Sequence, residues 1–304
     1  MTPINPTSGK DWRPLAALAL LSFIWGVTWV LSKQALAHAP PFAFAAQRCV
    51  GGGLALVLVL KLSGRSLRFA HPGPTIAIGL TQVAAFVILQ TCALVVAGPG
   101  KTSVLIFTMP IWTLLLGWMV LGERVRGLQW VAAASTLGGL LLIIAPWSRH
   151  GHLLGDLLGV GAALCWAIGT ILVKRLRARH PADLLVLTTW QMLVACVPLV
   201  LLAATVPERP TDWSPAYVAL LTVIAVASTA GGWWLWIYVL DRVPAWEASL
   251  SVLGTPVIAI VTSTLVLGER FHPVEVLGML LIGAGLVFIT LSSRQASLQR
   301  PSAR

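Results

Sequence analysis

Three groups of residues in this chain have types and spacings that could do chemistry. The first is Gly98-Pro99-Gly100-Lys101-Thr102, which ends like a phosphate-binding loop, where backbone amides and a lysine cradle a nucleotide. The second is a set of uncharged polar and aromatic residues. Gln82, Phe86 and Gln90 recur at i, i+4 and i+8 and share one helix face. Trp25, Thr28 and Trp29 share another, Trp166, Gly169 and Thr170 a third, and Ser228, Trp233 and Trp236 complete the set. Indoles, amides and hydroxyls on facing walls would suit an amphipathic solute with an apolar body and a polar end. The third is Arg48, followed by Gly51-Gly52-Gly53. A guanidinium forks onto carboxylate oxygens, while three glycines weaken a helix and offer a hinge or close packing.

The elements that carry these residues decide among the chemistries. The chain has 304 residues, of which 57% are hydrophobic and 10% charged, and its mean hydropathy is +0.86. Soluble domains carry roughly 25% charged residues. Apolar stretches of membrane-spanning length, about 20 residues, recur near 13–35, 42–61, 73–96, 101–120, 127–145, 155–174, 182–203, 215–240, 246–266 and 273–292. What is left between them is too short for a folded soluble domain. The phosphate-loop reading fails in this setting. Its first glycine would fall at Val95, and the run before it is a membrane span rather than a buried strand. Gly98, Pro99 and Gly100 therefore read as a tight turn between spans three and four, and Lys101 as an interfacial anchor snorkelling to water.

The net charge of +11 sets orientation and does not mark a nucleic-acid surface. With the N-terminus cytoplasmic, fifteen of the 21 Lys and Arg fall on cytoplasmic segments, five on external ones, and Arg48 within a span. That bias follows the positive-inside rule, placing both termini in the cytoplasm of a bacterial-type inner membrane. Cys49, Cys92, Cys165 and Cys196 all fall within spans and read as packing residues. Lys10 and Arg13 ahead of an apolar run ending in Ala35-Leu36-Ala37 imitate a secretory signal, but the run exceeds the usual ~7–15 residues.

The chain is written twice. "TMPIWTLLLGWMVLGER" (108–124) lies over "GTPVIAIVTSTLVLGER" (254–270), pairing Pro110 with Pro256 at an offset of 146. The same offset pairs Gly139, Leu140 and Ile143 with Gly285, Leu286 and Ile289, and Ser103 with Ser249. Near the start of each copy the offset is 141, pairing Trp25 with Trp166 and Lys33 with Lys174. Each copy holds five spans. An odd number sends the second copy through the membrane from the opposite side, giving an inverted repeat with a solute site at its interface. The halves are expected to be 1–148 and 149–304.

These two five-helix copies, each with a Trp in its first helix and a "P…LGER" block joining its fourth and fifth, resemble the drug/metabolite transporter superfamily and its EamA-type exporters. The resemblance implies ten helices around a central cavity. Helices one, three and four of each copy would line it, helix two would gate it and helix five would brace the outside. It also implies a cargo among small metabolites, including aromatic and other amino acids, moved outward.

The expectation is an all-α polytopic membrane carrier with ten transmembrane helices, exporting amino acids by alternating access. An importer or exchanger of other metabolites, and a non-transporting scaffold, are the alternatives. The expected cavity residues are Trp25, Thr28, Trp29, Gln82, Phe86, Gln90, Trp166, Thr170, Ser228, Trp233 and Trp236, although each aromatic taken singly reads as ordinary packing. Arg48, Gly51, Gly52, Gly53, Pro110, Pro198 and Pro256 are the expected gating or kink positions. Arg48 either meets a substrate carboxylate, or pairs with a helix carbonyl or snorkels outward. Glu123-Arg124 and Glu269-Arg270 would fasten the turns after spans four and nine. Trp12, Trp130, Trp147, Trp213 and Trp246 suit the interfacial belt. No H-E-x-x-H or G-x-S-x-G motif occurs and no carboxylate is expected at mid-membrane, so no enzyme, metal or cofactor is expected. The partners are a small solute and the lipid bilayer, with oligomeric state open.

Overall fold

A computed structural model describes residues 13–125, 127–144, 153–240, 242 and 254–298, all helix and connecting turns with no strand among them. The helices fall into ten consecutive segments. They are α1 (Arg13–His38), α2 (Pro41–Leu62), α3 (Pro72–Val96), α4 (Pro99–Leu121), α5 (Leu128–Ile144), α6 (Leu153–Arg179), α7 (Leu184–Thr205), α8 (Pro215–Val239), α9 (Gly254–Leu267) and α10 (Pro273–Leu298). Eight are long and apolar enough to cross a membrane; α5 and α9 are shorter apolar helices. The first eight residues of the span expected at 246–266 lie outside the described residues, as do Trp12, Trp147, Trp246 and Ser249.

Local chemistry explains the boundaries. α2, α3, α4, α8 and α10 each begin on a proline, whose missing N–H costs nothing in a first turn. Asp183 caps α7, accepting from the Leu185 and Val186 amides at 2.9 and 3.3 Å. Gly122 and Gly268 follow α4 and α9 with φ of 67° and 65°, the left-handed conformation of a helix C-cap. The turn before α4 is shorter than expected. Gly98 is its N-cap, and Pro99 and Gly100 already belong to the helix.

Packing repeats across the two halves. α2 lies against α7 and α5 against α10, while α1 packs on α9 as α6 does on α4. The contact of α3 with α6 is likewise mirrored by that of α8 with α1. A Cβ on Gly139 would stand 2.5 Å from the Gly278 carbonyl oxygen, so only small residues let α5 and α10 approach this closely. Sequence-matched helices run in opposite directions. Gly100, at the start of α4, meets Glu269, whereas Glu123, at its end, meets Lys174. Lys33, near the C-terminus of α1, reaches the last carbonyls of α3 beside the first of these ends, and Lys174, near the C-terminus of α6, lies at the second.

Each half also clamps a corner of the other. The α7–α8 loop places the Glu208 carboxylate on the Phe42 and Ala43 amides that open α2, at 3.1 Å each. It places Arg209 on the Leu36 and Ala37 carbonyls that close α1, at 3.0 and 2.9 Å. An anion at a helix start and a cation at a helix end both oppose the helix dipole. At the opposite end the α2–α3 loop grips the α6–α7 corner through Arg65–Asp183 at 2.7 Å and the Trp190 indole on the Leu67 carbonyl at 3.2 Å. In the first clamp, the His38 Nδ1–H donates to the Asp212 carboxylate at 2.9 Å, and this hydrogen bond holds the exposed Asp212 carboxyl below its ordinary pKa.

One feature was not legible in the spacing, and a second was legible only in part. Gly79–Ala85 in α3 and Val223–Gly231 in α8 are π-helical. Under the offset of 146 the first maps onto 225–231, inside the second. α4 is broken at Phe107 and Thr108 and resumes at Met109, so Pro110 sits in the first turn of a new helical piece. Pro256 holds the matching place near the start of α9. Pro198 lies inside an otherwise continuous α7.

Candidate functional site

The two π segments meet α1 and α6 at the centre of the bundle and line a cavity of about 100 Å³. Trp25, Thr28 and Trp29 line it from α1, Arg48 from α2, Gln82, Phe86 and Gln90 from α3, Trp166 from α6, and Ser228 and Trp233 from α8. Two of the expected cavity residues stand just behind this wall. Thr170 accepts a hydrogen bond from the Gln82 amide at 3.2 Å and donates to the Trp166 carbonyl at 3.0 Å, so it fixes Gln82 rather than lining the space. Trp236 packs against Trp25, with ring centroids 6.3 Å apart.

The wall is a set of interlocked rings. Trp166 stacks on Trp233 at 5.4 Å and meets the edge of Phe86 at 5.0 Å. Such pairs contribute about 0.5–1.5 kcal/mol each beyond their burial. The Trp25 indole donates to the Ser228 carbonyl at 3.1 Å, inside the second π segment. Glycines make the approach possible. A Cβ on Gly169 would collide with Gln82, and one on Gly232 with the Trp25 indole.

Some lining residues carry no signal in the spacing of a single helix. Cys49 and Met192 come from α2 and α7, the helices the resemblance assigns to gating. Ile106, Phe107 and Met109 come from the break in α4, and Val83, Val87 and Thr229 complete the wall. The resemblance assigns helix four of each copy to the lining; among the described residues α9 contributes none. Gly51 and Gly52 do not interrupt α2. They let it press on the second π segment, where added Cβ atoms would stand 2.9 Å from Ala225 and 2.5 Å from Thr229. Gly53 faces Leu193 and Met192 of α7. Gly52→Leu is expected to cost about 1–3 kcal/mol through overpacking, read as a lower melting temperature of the purified protein. An unchanged melting temperature would show that α2 and α8 are free to separate.

The charged residues near one end of the bundle depart from expectation. Lys101 does not snorkel. It is 7% exposed, with Nζ 3.0 Å from both Asp156 and Glu275. Asp156 lies in the first turn of α6 and is wholly buried. Glu269 does not fasten its own turn. It accepts from the Gly100 and Lys101 amides of the other half at 2.9 and 3.3 Å. At the opposite end its counterpart Glu123 pairs with Lys174 at 3.3 Å across the halves, with both side chains about half exposed. One end is therefore tied by a buried charge cluster and the other by an exposed pair. Among the described residues no three His, Cys, Asp or Glu side chains are grouped to hold a metal ion.

Comparison with known proteins agrees with this architecture. The EamA-like transporter family matches residues 12–145 and, a second time, 153–291. The uncharacterized transporter YvbV of Bacillus subtilis (strain 168) is 29% identical over 285 residues, covering 93% of each chain. A probable amino-acid metabolite efflux pump of Escherichia coli (strain K12) is 27% identical over 286 residues, covering 90% of this chain and 94% of its own. A solved crystal structure shares the fold with a TM-score of 0.66 at 18% identity, covering 94% of this chain and 99% of that one.

Proposed function

We propose, from the premise that the chain belongs to the EamA-like transporter family, that it is a secondary carrier exporting small amphipathic metabolites, amino acids foremost, by alternating access. The observation that carries this reading is the central cavity. It lies between two oppositely running halves, is walled by indoles, and holds two amides and a guanidinium where lipid-facing helices would hold none. The efflux direction and the amino-acid class are supported by the name of the Escherichia coli relative. The halves, 1–148 and 149–304, rock about the cavity. The buried cluster around Lys101 and the exposed Glu123–Lys174 pair tie opposite ends. The positive-inside bias puts the first end outside and both termini in the cytoplasm of a bacterial-type inner membrane.

Counterflow in reconstituted vesicles tests the proposal. Vesicles preloaded with unlabelled amino acid are expected to accumulate the labelled one transiently without any imposed ion gradient. Flat traces across a broad panel of amino acids and related metabolites would favour the non-transporting scaffold.

A further inference from the structure

Arg48 sits in the interior of α2 and lines the cavity, yet it makes no ion pair among the described residues. Its Nη1 is enclosed and has no hydrogen-bond partner. No helix carbonyl accepts from it there. On α3, Gln90 is 6% exposed and also lines the cavity, and its Oε1 is enclosed and accepts nothing. One strong donor and one strong acceptor are thus left open on the walls of the same small space. A half-buried guanidinium without an anion inside a membrane span is disfavoured, and for folding alone a methionine would serve better.

We infer that Arg48 is the counter-ion of the cargo. The cavity takes a small solute bearing a single carboxylate that forks onto Arg48, a donor head that meets Gln90 Oε1, and an apolar body that lies against Trp166 and Trp233. The inference rests on the carrier reading and adds a charge rule to it. In a low-dielectric site an amide or an amine leaves the guanidinium unpaired, and a cationic amine is also repelled. A dianion brings one charge more than the wall can match. The zwitterion fits both open groups, the acid without its ammonium meets Arg48 alone, and the decarboxylated amine meets only Gln90 while leaving the guanidinium unpaired and repelling it.

The test is thermal unfolding of the purified full chain in detergent, with counterflow in parallel. The probes are L-alanine, L-leucine, L-phenylalanine and L-tryptophan, each beside its decarboxylated amine. At least one acid is expected to raise the melting temperature while its amine does not, since a ligand of the native state stabilises by mass action. Arg48→Met is expected to melt at or above the wild-type temperature without ligand and to lose affinity for that acid about tenfold or more, the worth of a charged hydrogen bond. Arg48→Lys, keeping the charge but not the fork, should keep part of the shift. An acid-induced shift that survives in Arg48→Met, an amine as effective as its acid, or no shift with any acid would each overturn the assignment. If counterflow of amines or uncharged solutes persists in those cases, the carrier stands without Arg48. If no solute moves, the carrier reading falls with it.

Discussion

Replacing Lys101 with methionine is expected to cost the folded protein about 3–5 kcal/mol, the usual penalty for removing one partner of a buried ion pair. Lys101 bridges Asp156 of α6 and Glu275 of α10 at 3.0 Å each, and Asp156 has no solvent-exposed surface. Without the ammonium, the wholly buried Asp156 carboxylate loses the Lys101 charge and is left beside that of Glu275, whose side chain is 23% exposed. The measurement is the melting temperature of the purified protein. The double variant Lys101→Met/Asp156→Leu is expected to recover most of the loss, because an apolar pair of similar size often matches a buried ion pair in stability. A Lys101→Met protein that melts with the wild type would mean that Lys101 reaches water and contributes no tie between the halves. By contrast, Glu123→Gln at the other end should change stability by less than about 1 kcal/mol, the range of exposed pairs, since Glu123 and Lys174 are 47% and 44% exposed.

The second large effect is on flux. Trp166→Ala is expected to reduce counterflow at least about tenfold in vesicles holding equal amounts of inserted protein. Its indole stacks on Trp233 and meets the edge of Phe86, so truncation removes the centre of the aromatic wall. Large-to-small changes at buried aromatics cost about 3–5 kcal/mol of stability, so the amount of folded protein must be matched before fluxes are compared. Gln82→Ala should act in the same direction with less structural damage, by freeing the Thr170 hydroxyl and removing an amide from the cavity. Trp213, 60% exposed in the α7–α8 loop, is the control and should tolerate alanine. Equal flux in all three variants would empty the cavity of its assigned role.

The sequence spacing was informative where one helix decides the outcome. Gln82, Phe86 and Gln90 lie four residues apart and do line a common space, as do Trp25, Thr28 and Trp29. It was silent where the outcome depends on two distant segments. Lys101 reads as a snorkelling residue because nothing near it in sequence is acidic, and its partners come from positions 156 and 275. Glu269 looks local because it sits in a turn, but its acceptor oxygens find amides 168 and 169 residues away. Arg48 shows the intermediate case. Its position within a span was evident, and whether it had a partner was not, since that depends on every helix around it. The break at Phe107 could be suspected from Pro110, but not its consequence of turning Ile106, Phe107 and Met109 toward the centre.

An additional residue in a helical turn is a movable defect. In Gly79–Ala85 and Val223–Gly231 the hydrogen bonds run to the fifth residue instead of the fourth. If the surplus residue is released at one end of such a segment and taken up at the other, everything between swivels by about 100°, one residue's share of a turn with 3.6 residues. The ends of the rod stay anchored while this happens. Gln82 and Ser228 lie inside the two segments. A crankshaft of this kind would re-aim the hydroxyl and the amide at a passing solute with no helix leaving its place in the bilayer.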